Sequence, residues 1–167
     1  MLSASELLEQ IFGPLEIKIV NQDQEKRTSY DRESLRITQD GKVLVYNLVT
    51  FNLPILFKQE HATILQGNPI GPTFQHYRHH IIRVTRCIFP FASPTSLADL
   101  FQTKSNSIVK VVDFYVYQKS RSTKYAEIIE IYSPRVRFPD EDYPFETENG
   151  LIQKTSQILE KHKFALG

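Results

Sequence analysis

The segment Tyr125–Pro134, with the sequence YAEIIEIYSP, constrains the fold of this chain more than any other stretch. In an extended chain the side chains of Ile128, Ile129 and Ile131 point to both faces of the strand, so both faces need apolar cover. We therefore predict a central strand of a sheet, whose ladder of hydrogen bonds ends at the final proline. Glu130 lies among these apolar residues, where a carboxylate must find hydrogen-bond donors or take up a proton.

Two interpretations of Glu130 follow from this position. The first is a functional carboxylate that faces a ligand, and it is our main hypothesis for the site. The second is a structural carboxylate that pairs with a Lys or Arg across the strand, and composition alone favours this second interpretation.

The 167 residues have the composition of an ordinary globular domain, with 41% hydrophobic and 23% charged residues. We expect one domain over residues 1–167, with a core over about 3–134 and an irregular segment and helix over 138–165. The net charge of +1 predicts no general attraction to nucleic acid or to an anionic membrane. We expect neither as a partner, no membrane span, and a monomer.

The single cysteine, Cys87, excludes an internal disulfide and cysteine-rich zinc sites. A reducing compartment fits this, either the cytoplasm or a plastid stroma. Cys87 lies in an apolar strand, so we predict a buried and inert thiol. His76, His79 and His80 would share one face of a helix, but no acidic or cysteine ligand accompanies them. A basic patch with the nearby arginines is the better interpretation, and we expect no metal site.

Hydrophobic periodicity predicts an α+β fold built on a six-stranded antiparallel sheet, with helices packed on one face and the other face closing over something. The predicted strands are Leu15–Ile19, Tyr30–Thr38, Val43–Phe51, His80–Phe89, Ile108–Gln118 and Tyr125–Pro134. Asp40-Gly41 and the loop Lys119–Lys124 predict hairpins. The predicted helices follow the capping pairs Ser3 with Glu6 and Ser96 with Asp99, and cover Phe57–Gln66 and Leu151–His162.

Four short motifs stand in an order typical of one known family. They are Ser3-Ala4-Ser5, Asp31-Arg32-Glu33, Asn68-Pro69-Ile70-Gly71 and Glu130-Ile131-Tyr132-Ser133-Pro134. Together they resemble the chorismate lyase (chorismate pyruvate-lyase) family, in particular its cyanobacterial and plastid-type members. The resemblance covers the chain from about residue 3 to 134. No single motif is specific, so the order and spacing of all four carry it.

The resemblance implies a six-stranded antiparallel sheet with a ligand cavity under flap-like segments. It implies an enzyme that converts chorismate to 4-hydroxybenzoate, a ring precursor for quinones, and pyruvate without a cofactor. By motif matching, Arg32 binds the ring carboxylate, and a backbone amide at Ile70-Gly71 contacts the same group. Glu130 faces the ring hydroxyl, and Ala4 supplies a further backbone contact. Arg32 and Glu130 are the expected catalytic residues.

These roles agree with elementary chemistry. The guanidinium of Arg32 binds a carboxylate through two parallel hydrogen bonds, which a lysine cannot do. The Pro-Ile-Gly loop lets a backbone N–H approach a ligand closely. Because the elimination leaves an aromatic ring, the protein mainly has to hold one conformer of the substrate, and neither a metal nor a nucleophile is needed.

One departure from the family pattern favours a second function. Asp113 stands where the family usually carries a basic residue that helps to hold the dicarboxylate. Arg36 shares a strand face with Arg32 and is a further candidate for substrate binding, while Arg83 or Arg86 is expected to supply a second positive charge. The alternative to an enzyme is a non-catalytic module of the same fold that binds or senses an aromatic acid.

Overall fold

The computed structural model of the chain describes residues 4–23, 29–52, 66, 81–118, 124–137 and 144–164. Seven strands are present in these ranges: β1 (Leu15–Asp23), β2 (Ser29–Thr38), β3 (Val43–Asn52), β4 (Ile81–Ala92), β5 (Ile108–Gln118), β6 (Lys124–Tyr132) and β7 (Phe145–Glu146). Three helices accompany them: α1 (Ala4–Phe12), α2 (Thr95–Phe101) and α3 (Leu151–Lys161). No helix among these residues is both long enough and apolar enough to cross a membrane.

The strands form one antiparallel sheet in the order β1-β2-β3-β6-β5-β4-β7. This confirms the α+β class and the six predicted strands, and β6 lies in the middle as predicted from its apolar residues on both faces. β7 is an addition of two residues within a segment that we expected to be irregular. The β6 ladder ends at Tyr132, just before Pro134, and the Ser133 N–H still donates to the Leu44 carbonyl at 2.8 Å.

The β2–β3 hairpin forms at the predicted Asp40-Gly41 turn. Gly41 has φ of 85°, a conformation that costs glycine little and other residues more. Thr38 closes the turn, because its hydroxyl donates to Asp40 and accepts from the Lys42 N–H at 2.9 Å. β2 pairs with β3 in one register up to Arg36, where a bulge shifts it by one residue.

The sheet has two buried faces. We call the side that carries Glu130 the Glu130 face, and the opposite side the helix face. On the Glu130 face, α1 packs through Leu8 against a core formed largely by β3, β5 and β6. On the helix face, α2 and α3 pack through Leu97, Leu100, Phe101, Leu151 and Leu159. Two of the described helices therefore share one face as predicted, and α1 lies on the other.

The start of α2 differs from the sequence prediction, whereas the extent of α3 agrees with it. α2 begins at Thr95, and the residue before it, Pro94, has a φ of −62°. No side chain caps the start of this helix, so the predicted Ser96 cap is wrong. Proline already sets the backbone there, and Asp99 is exposed. α3 has the predicted extent and buries Leu151, Thr155 and Leu159. The predicted helix Phe57–Gln66 and loop Asn68–Pro72 lie outside the described residues, apart from Gln66.

Candidate functional site

A row of polar side chains crosses three neighbouring strands on the Glu130 face. Ser34 of β2 lies opposite Asn47 of β3, and Asn47 lies opposite Glu130 of β6. In an antiparallel sheet, directly opposed residues point to the same side, so all three side chains share this face. All three are buried, with exposed fractions of 1%, 6% and 8%. Such groups need hydrogen-bond partners from the protein, water or a ligand.

Two arginines of β2 flank this row. Arg32 and Arg36 lie two residues before and two residues after Ser34, so both belong to the Glu130 face. Ser34 lies level with Glu130 across β3, and Arg32 lies two residues from Ser34 along β2. The spacings between strands and along a strand then put the Cα atoms of Arg32 and Glu130 about 12 Å apart. A small ligand lying across the sheet spans such a distance.

Glu130 binds two side chains of the protein itself. Its Oε2 accepts a hydrogen bond from the Tyr132 hydroxyl, two residues further along β6 on the same face. Its Oε1 lies 3.2 Å from Nη1 of Arg83. Arg83 comes from β4, two strands away, and its guanidinium lies 3.6 Å from the centre of the Phe114 ring. The carboxylate is thus partly engaged by the protein, as our second interpretation of Glu130 expected, although not by an adjacent strand.

Arg36 contacts α1. Its Nε donates to the Ser5 hydroxyl at 3.4 Å. Burial lowers the pKa of Arg36, while the charges of Glu130, Tyr132 and Glu9 act in the opposite direction. Nη1 of Arg36 and the hydroxyl of Ser34 are both buried and have no hydrogen-bond partner among the described residues.

Arg32 is the largest of the nearly inaccessible side chains among the described residues, with 1% of its surface exposed. Its neighbours across the ladder are Gln22 of β1 and Val49 of β3. A guanidinium cannot lose its proton in a protein, so burial of this kind requires acceptors or a negative charge nearby. This setting is compatible with the predicted carboxylate-binding role, which stays a prediction.

The expectation that Asp113 replaces a basic residue of the site is wrong. Asp113 pairs with Ile129 and therefore lies on the helix face, whereas Val112 is the β5 residue that pairs with Glu130. Matching the sequence to the family pattern was therefore wrong by one residue at this strand. Neighbouring residues of a strand point to opposite faces, so an error of one residue is enough to assign the wrong face. Arg86 also lies away from the site, because it contacts Asp113 and Glu127 at 3.6 and 2.9 Å. Of the two arginines considered for the second charge, Arg83 reaches the site.

A second buried polar cluster lies under α3 on the helix face. Asp113 is 1% exposed, and Thr155 of α3 donates to it at 3.4 Å. Burial and then the Glu127 charge raise the pKa of Asp113 to about 7, against the opposing effect of Arg86. Cys87 is fully buried beside this cluster, and burial raises the pKa of its thiol to about 11. The buried, inert thiol expected from the sequence agrees with this setting.

The remaining predicted residues are distributed as follows. Ala4 is the first residue of α1, and the backbone contact predicted for it stays a prediction. Ile70 and Gly71 lie outside the described residues, as do His76, His79 and His80. Within the described ranges, no group of three His, Cys, Asp or Glu side chains is arranged to hold a metal ion.

Sequence reasoning missed Ser34 and Asn47, and it placed Tyr132 on the face of Glu130 without assigning it a role in the site. The two-residue spacing of Glu130 and Tyr132 on one strand was a readable signal that their side chains share a face. Ser34 and Asn47 gave no such signal, because their positions depend on the pairing of three strands. The predicted cavity under flap-like segments depends on residues 53–80, nearly all outside the described ranges, and stays a prediction.

Comparison with known proteins shows what this fold is similar to. No family model and no curated protein matches the chain. A solved GntR-family transcriptional regulator from Bacillus cereus aligns with 78% of this chain and 99% of its own, at 12% identity and a TM-score of 0.57. A regulator structure from Escherichia coli CFT073 aligns with 77% of this chain and 98% of its own, at 9% identity and a TM-score of 0.59.

The ligand-binding domain of a protein assigned to the GntR family in Bordetella bronchiseptica aligns similarly, over 81% of this chain and 92% of its own. Its identity is 12% and its TM-score 0.52. At these identities the likeness shows the fold alone. The chain therefore has the α+β fold of these regulator domains, to which the chorismate lyase fold is related.

Proposed function

We propose that this chain is a binding module for a small anionic molecule, held on the Glu130 face of the sheet, with an aromatic carboxylate as the first candidate. The likeness to a ligand-binding domain supports a binding function for this fold. The proposal itself rests on the residues of the face, since a shared fold does not determine function.

The observation that carries the proposal concerns two buried atoms on one strand, Nη1 of Arg36 and the hydroxyl oxygen of Ser34. Both atoms lack a hydrogen-bond partner among the described residues, and both belong to the face that also holds Glu130. An unsatisfied buried polar atom costs about 1–3 kcal/mol, so a ligand that supplies the missing acceptor gains that energy. A carboxylate meets this need, because its oxygens accept from a guanidinium and a hydroxyl together.

The balance of charge on this face also favours an anion. Described residues contribute three guanidiniums, from Arg32, Arg36 and Arg83, against the single carboxylate of Glu130. Glu9 of α1 acts on Arg36 as a further negative charge. Among these side chains the guanidiniums outnumber the carboxylates, which favours an anionic ligand over a cationic one.

A calorimetric titration tests this proposal. The full chain is titrated with 4-hydroxybenzoate and with 4-hydroxybenzamide, which has the same ring and hydroxyl but no negative charge. We expect the carboxylate to bind and the amide to bind at least tenfold more weakly, since about 1.5–3 kcal/mol is usual for a hydrogen bond to a charged group. Equal affinity for the two compounds would contradict an anion-binding face.

Substitutions of the two β2 arginines test whether the carboxylate binds at these residues. Arg36→Met keeps the apolar stem and removes the guanidinium, and we expect it to weaken carboxylate binding by about 2 kcal/mol. Arg32→Ala is expected to weaken it by a similar amount or more. Lys18→Ala removes an exposed positive charge of β1 and serves as the control, with unchanged affinity expected. A loss of binding in the Lys18 variant equal to that of Arg36→Met would show non-specific attraction instead.

A second candidate is catalysis, with chorismate as the substrate. The presence of Arg32 and Glu130 on one face, at the two ends of a ligand-sized distance, supports it. The test is to incubate the folded protein with chorismate and follow 4-hydroxybenzoate and pyruvate. Formation of both above the uncatalysed rate makes the chain a lyase. Tight binding of 4-hydroxybenzoate without turnover leaves the binding module as the function.

A further inference from the structure

Few apolar side chains hold α3 on the helix face. Of its eleven residues, only Leu151, Thr155 and Leu159 are buried. Burial of a leucine side chain contributes about 1.5–3 kcal/mol, and elements with few such contacts open locally at a lower cost than that of unfolding the whole protein. The polar contacts of α3 therefore have a large share in keeping this helix on the sheet.

The first of these polar contacts joins α3 to a buried pair of carboxyl groups. Thr155 donates to Oδ2 of Asp113 at 3.4 Å, and the same oxygen lies 3.6 Å from Nη1 of Arg86. That nitrogen lies closer to Oε1 of Glu127, at 2.9 Å. Two carboxyl groups thus share one guanidinium nitrogen. The shorter contact belongs to Glu127, whose side chain is 29% exposed, while Asp113 is 1% exposed.

The balance of charge in this cluster calls for a proton on Asp113. If both carboxyl groups are ionised, one negative charge under α3 has no positive partner of its own, and an uncompensated buried charge is costly. Oδ1 of Asp113 is buried and has no hydrogen-bond partner among the described residues. A proton removes the excess charge and leaves the pair of Arg86 and Glu127 intact. In agreement, burial and the Glu127 charge raise the pKa of Asp113 to about 7.

The neighbouring groups of β4, β5 and β6 do not supply the missing positive charge. Cys87 of β4 and Tyr115 of β5 are neutral near pH 7, because burial raises the pKa of the thiol to about 11 and raises the pKa of the phenol as well. The ammonium group of Lys124 of β6 binds the Tyr115 ring, 4.2 Å from its centre.

The groups before α3 add negative charge. Glu146 of β7 accepts the N–H of Ile152, in the first turn of α3, at 3.0 Å. Glu148, in the turn that leads into the helix, acts on Arg86 as a further negative charge. The surroundings of Asp113 therefore favour its neutral form from every element that packs around it.

The far end of α3 holds a second contact that depends on a proton. Nε2 of His162 lies 2.5 Å from Oε1 of Glu33 on β2. Glu33 also accepts from the Tyr46 hydroxyl at 2.6 Å and from Nδ2 of Asn21 at 3.0 Å. Phe164 packs on the imidazole, with the ring centres 4.8 Å apart. An imidazole forms an ion pair with a carboxylate only while it is protonated, so this contact also weakens as the pH rises.

We infer that α3 is a pH-dependent latch: protons on Asp113 and His162 hold residues 151–164 on the helix face, and their loss lets this segment open locally and uncover Cys87. Both contacts are strongest in the protonated form, so the open fraction rises with pH. An Asp side chain in the open segment has a pKa of about 3.9. Asp113 alone then predicts a rise of about tenfold in the open fraction between about pH 6 and pH 8. The latch does not depend on the proposed ligand.

The reaction of Cys87 with an aromatic disulfide reagent tests the inference on the full chain. Cys87 is the single cysteine, is fully buried and contacts Thr155 of α3. Its rate is divided by that of glutathione at the same pH, which removes the titration of the thiol itself. We expect the corrected rate to rise about tenfold between about pH 6 and pH 8.

Three variants assign this rise to the two contacts. Asp113→Asn is neutral at every pH and should lose most of the rise. Asp99→Asn is the matched control, since Asp99 is exposed on α2, and it should keep the rise. His162→Gln keeps a hydrogen-bond donor near Glu33 without a titrating group, and combined with Asp113→Asn it should leave no rise. An Asp113 variant that behaves like the unmodified chain overturns the inference, as does a double variant whose rate still rises.

Low concentrations of urea separate local opening from unfolding of the whole chain. A local opening exposes little surface, so the corrected rate should hardly change below about 1 M urea, whereas reaction through global unfolding rises steeply. Amide hydrogen exchange at the same pH gives an independent readout, and residues 151–161 should exchange faster than β5 and β6. A steep dependence on urea, or equal protection of α3 and these central strands, contradicts the latch.

Discussion

At the scale of single residues, the question is whether Glu130 faces a ligand or only stabilises the sheet. Its carboxylate is bound by Tyr132 and by Arg83, so it already has partners without a ligand. Arg83 is 42% exposed in its side chain, and an ion pair with an exposed guanidinium contributes little to stability. A ligand anion that attracts Arg83 would free Oε1 for a ligand hydroxyl. A partly engaged Glu130 therefore fits a ligand-facing role as well as a structural one.

Glu130→Gln separates these two roles. The amide keeps the volume of the side chain but turns a charge-assisted hydrogen bond from Tyr132 into a neutral one, which costs about 1 kcal/mol. We expect the melting temperature to fall by about 2–4 °C, as usual for a chain of this length. If the chain is a lyase, turnover should fall more than affinity for 4-hydroxybenzoate.

Glu127→Gln is the matched control for this experiment. Glu127 lies on the same strand but on the helix face, where it binds Arg86 at 2.9 Å. Its variant should leave ligand binding and any turnover unchanged. A Glu130 variant that melts lower but binds and reacts like the unmodified protein would make this carboxylate structural.

At the scale of elements, the contact between α3 and β5 predicts an unusual pH dependence. Burial and the Glu127 charge raise the pKa of Asp113 to about 7, while a free Asp has a pKa of about 3.9. Between these values the folded protein holds a proton that the unfolded chain has released. The free energy of unfolding therefore falls as the pH rises from about 4 to about 7, and levels off above.

Asp113→Asn should remove this contribution, since an amide does not titrate. Urea unfolding at several pH values between 5 and 8 measures it: the unmodified protein should lose stability with rising pH, and the variant should lose less.

Glu33 has the opposite effect on the pH dependence of stability, at lower pH. Burial raises its pKa, but hydrogen bonds from His162, Tyr46 and Asn21 outweigh burial and hold the pKa below its ordinary value. A variant with the same pH slope as the unmodified protein would show that Asp113 is ionised throughout.

The end of α3 provides a second prediction at this scale. Phe164 is buried after the helix, with its ring centre 4.9 Å from that of Tyr46 and 4.8 Å from that of His162. Phe164→Ala should cost about 3 kcal/mol through the lost burial and the cavity. Ile158→Ala, at a position of α3 that is 59% exposed, should change stability by about 0.5 kcal/mol or less. Urea unfolding compares the two, and equal losses would mean that the residues after α3 do not pack as described.

At the scale of the whole molecule, the sheet separates two cores. Leu44 belongs to the core of the Glu130 face and Leu159 to the core of the helix face, and both are fully buried. Each change to alanine should cost about 2–5 kcal/mol. Because the two clusters share no side chain, the costs should add within about 0.5 kcal/mol in the double variant. Denaturant unfolding of the four proteins measures this, and a larger coupling would show that the cores are not independent.

The sequence by itself determined where the strands lie and which of them is central. Alternation of apolar residues is a local property, so β2, β3 and the turn at Gly41 were predictable without knowledge of any partner. The apolar residues on both faces of β6 likewise required neighbours on both sides. The extent of α3 followed from its helical spacing.

Only the tertiary structure decided which side chains meet. The row of Ser34, Asn47 and Glu130 depends on the registers of β2 with β3 and of β3 with β6, and the strands of the second pair are distant in sequence. β2 and β3 pair in one register as far as Arg36, and β3 pairs with β6 without any shift. A shift of one residue in either pairing would move a side chain to the other face of the sheet. That is why Asp113 was assigned to the site and lies under α3 instead. Periodicity is set by the geometry of one strand, whereas register is set by the pairing of two.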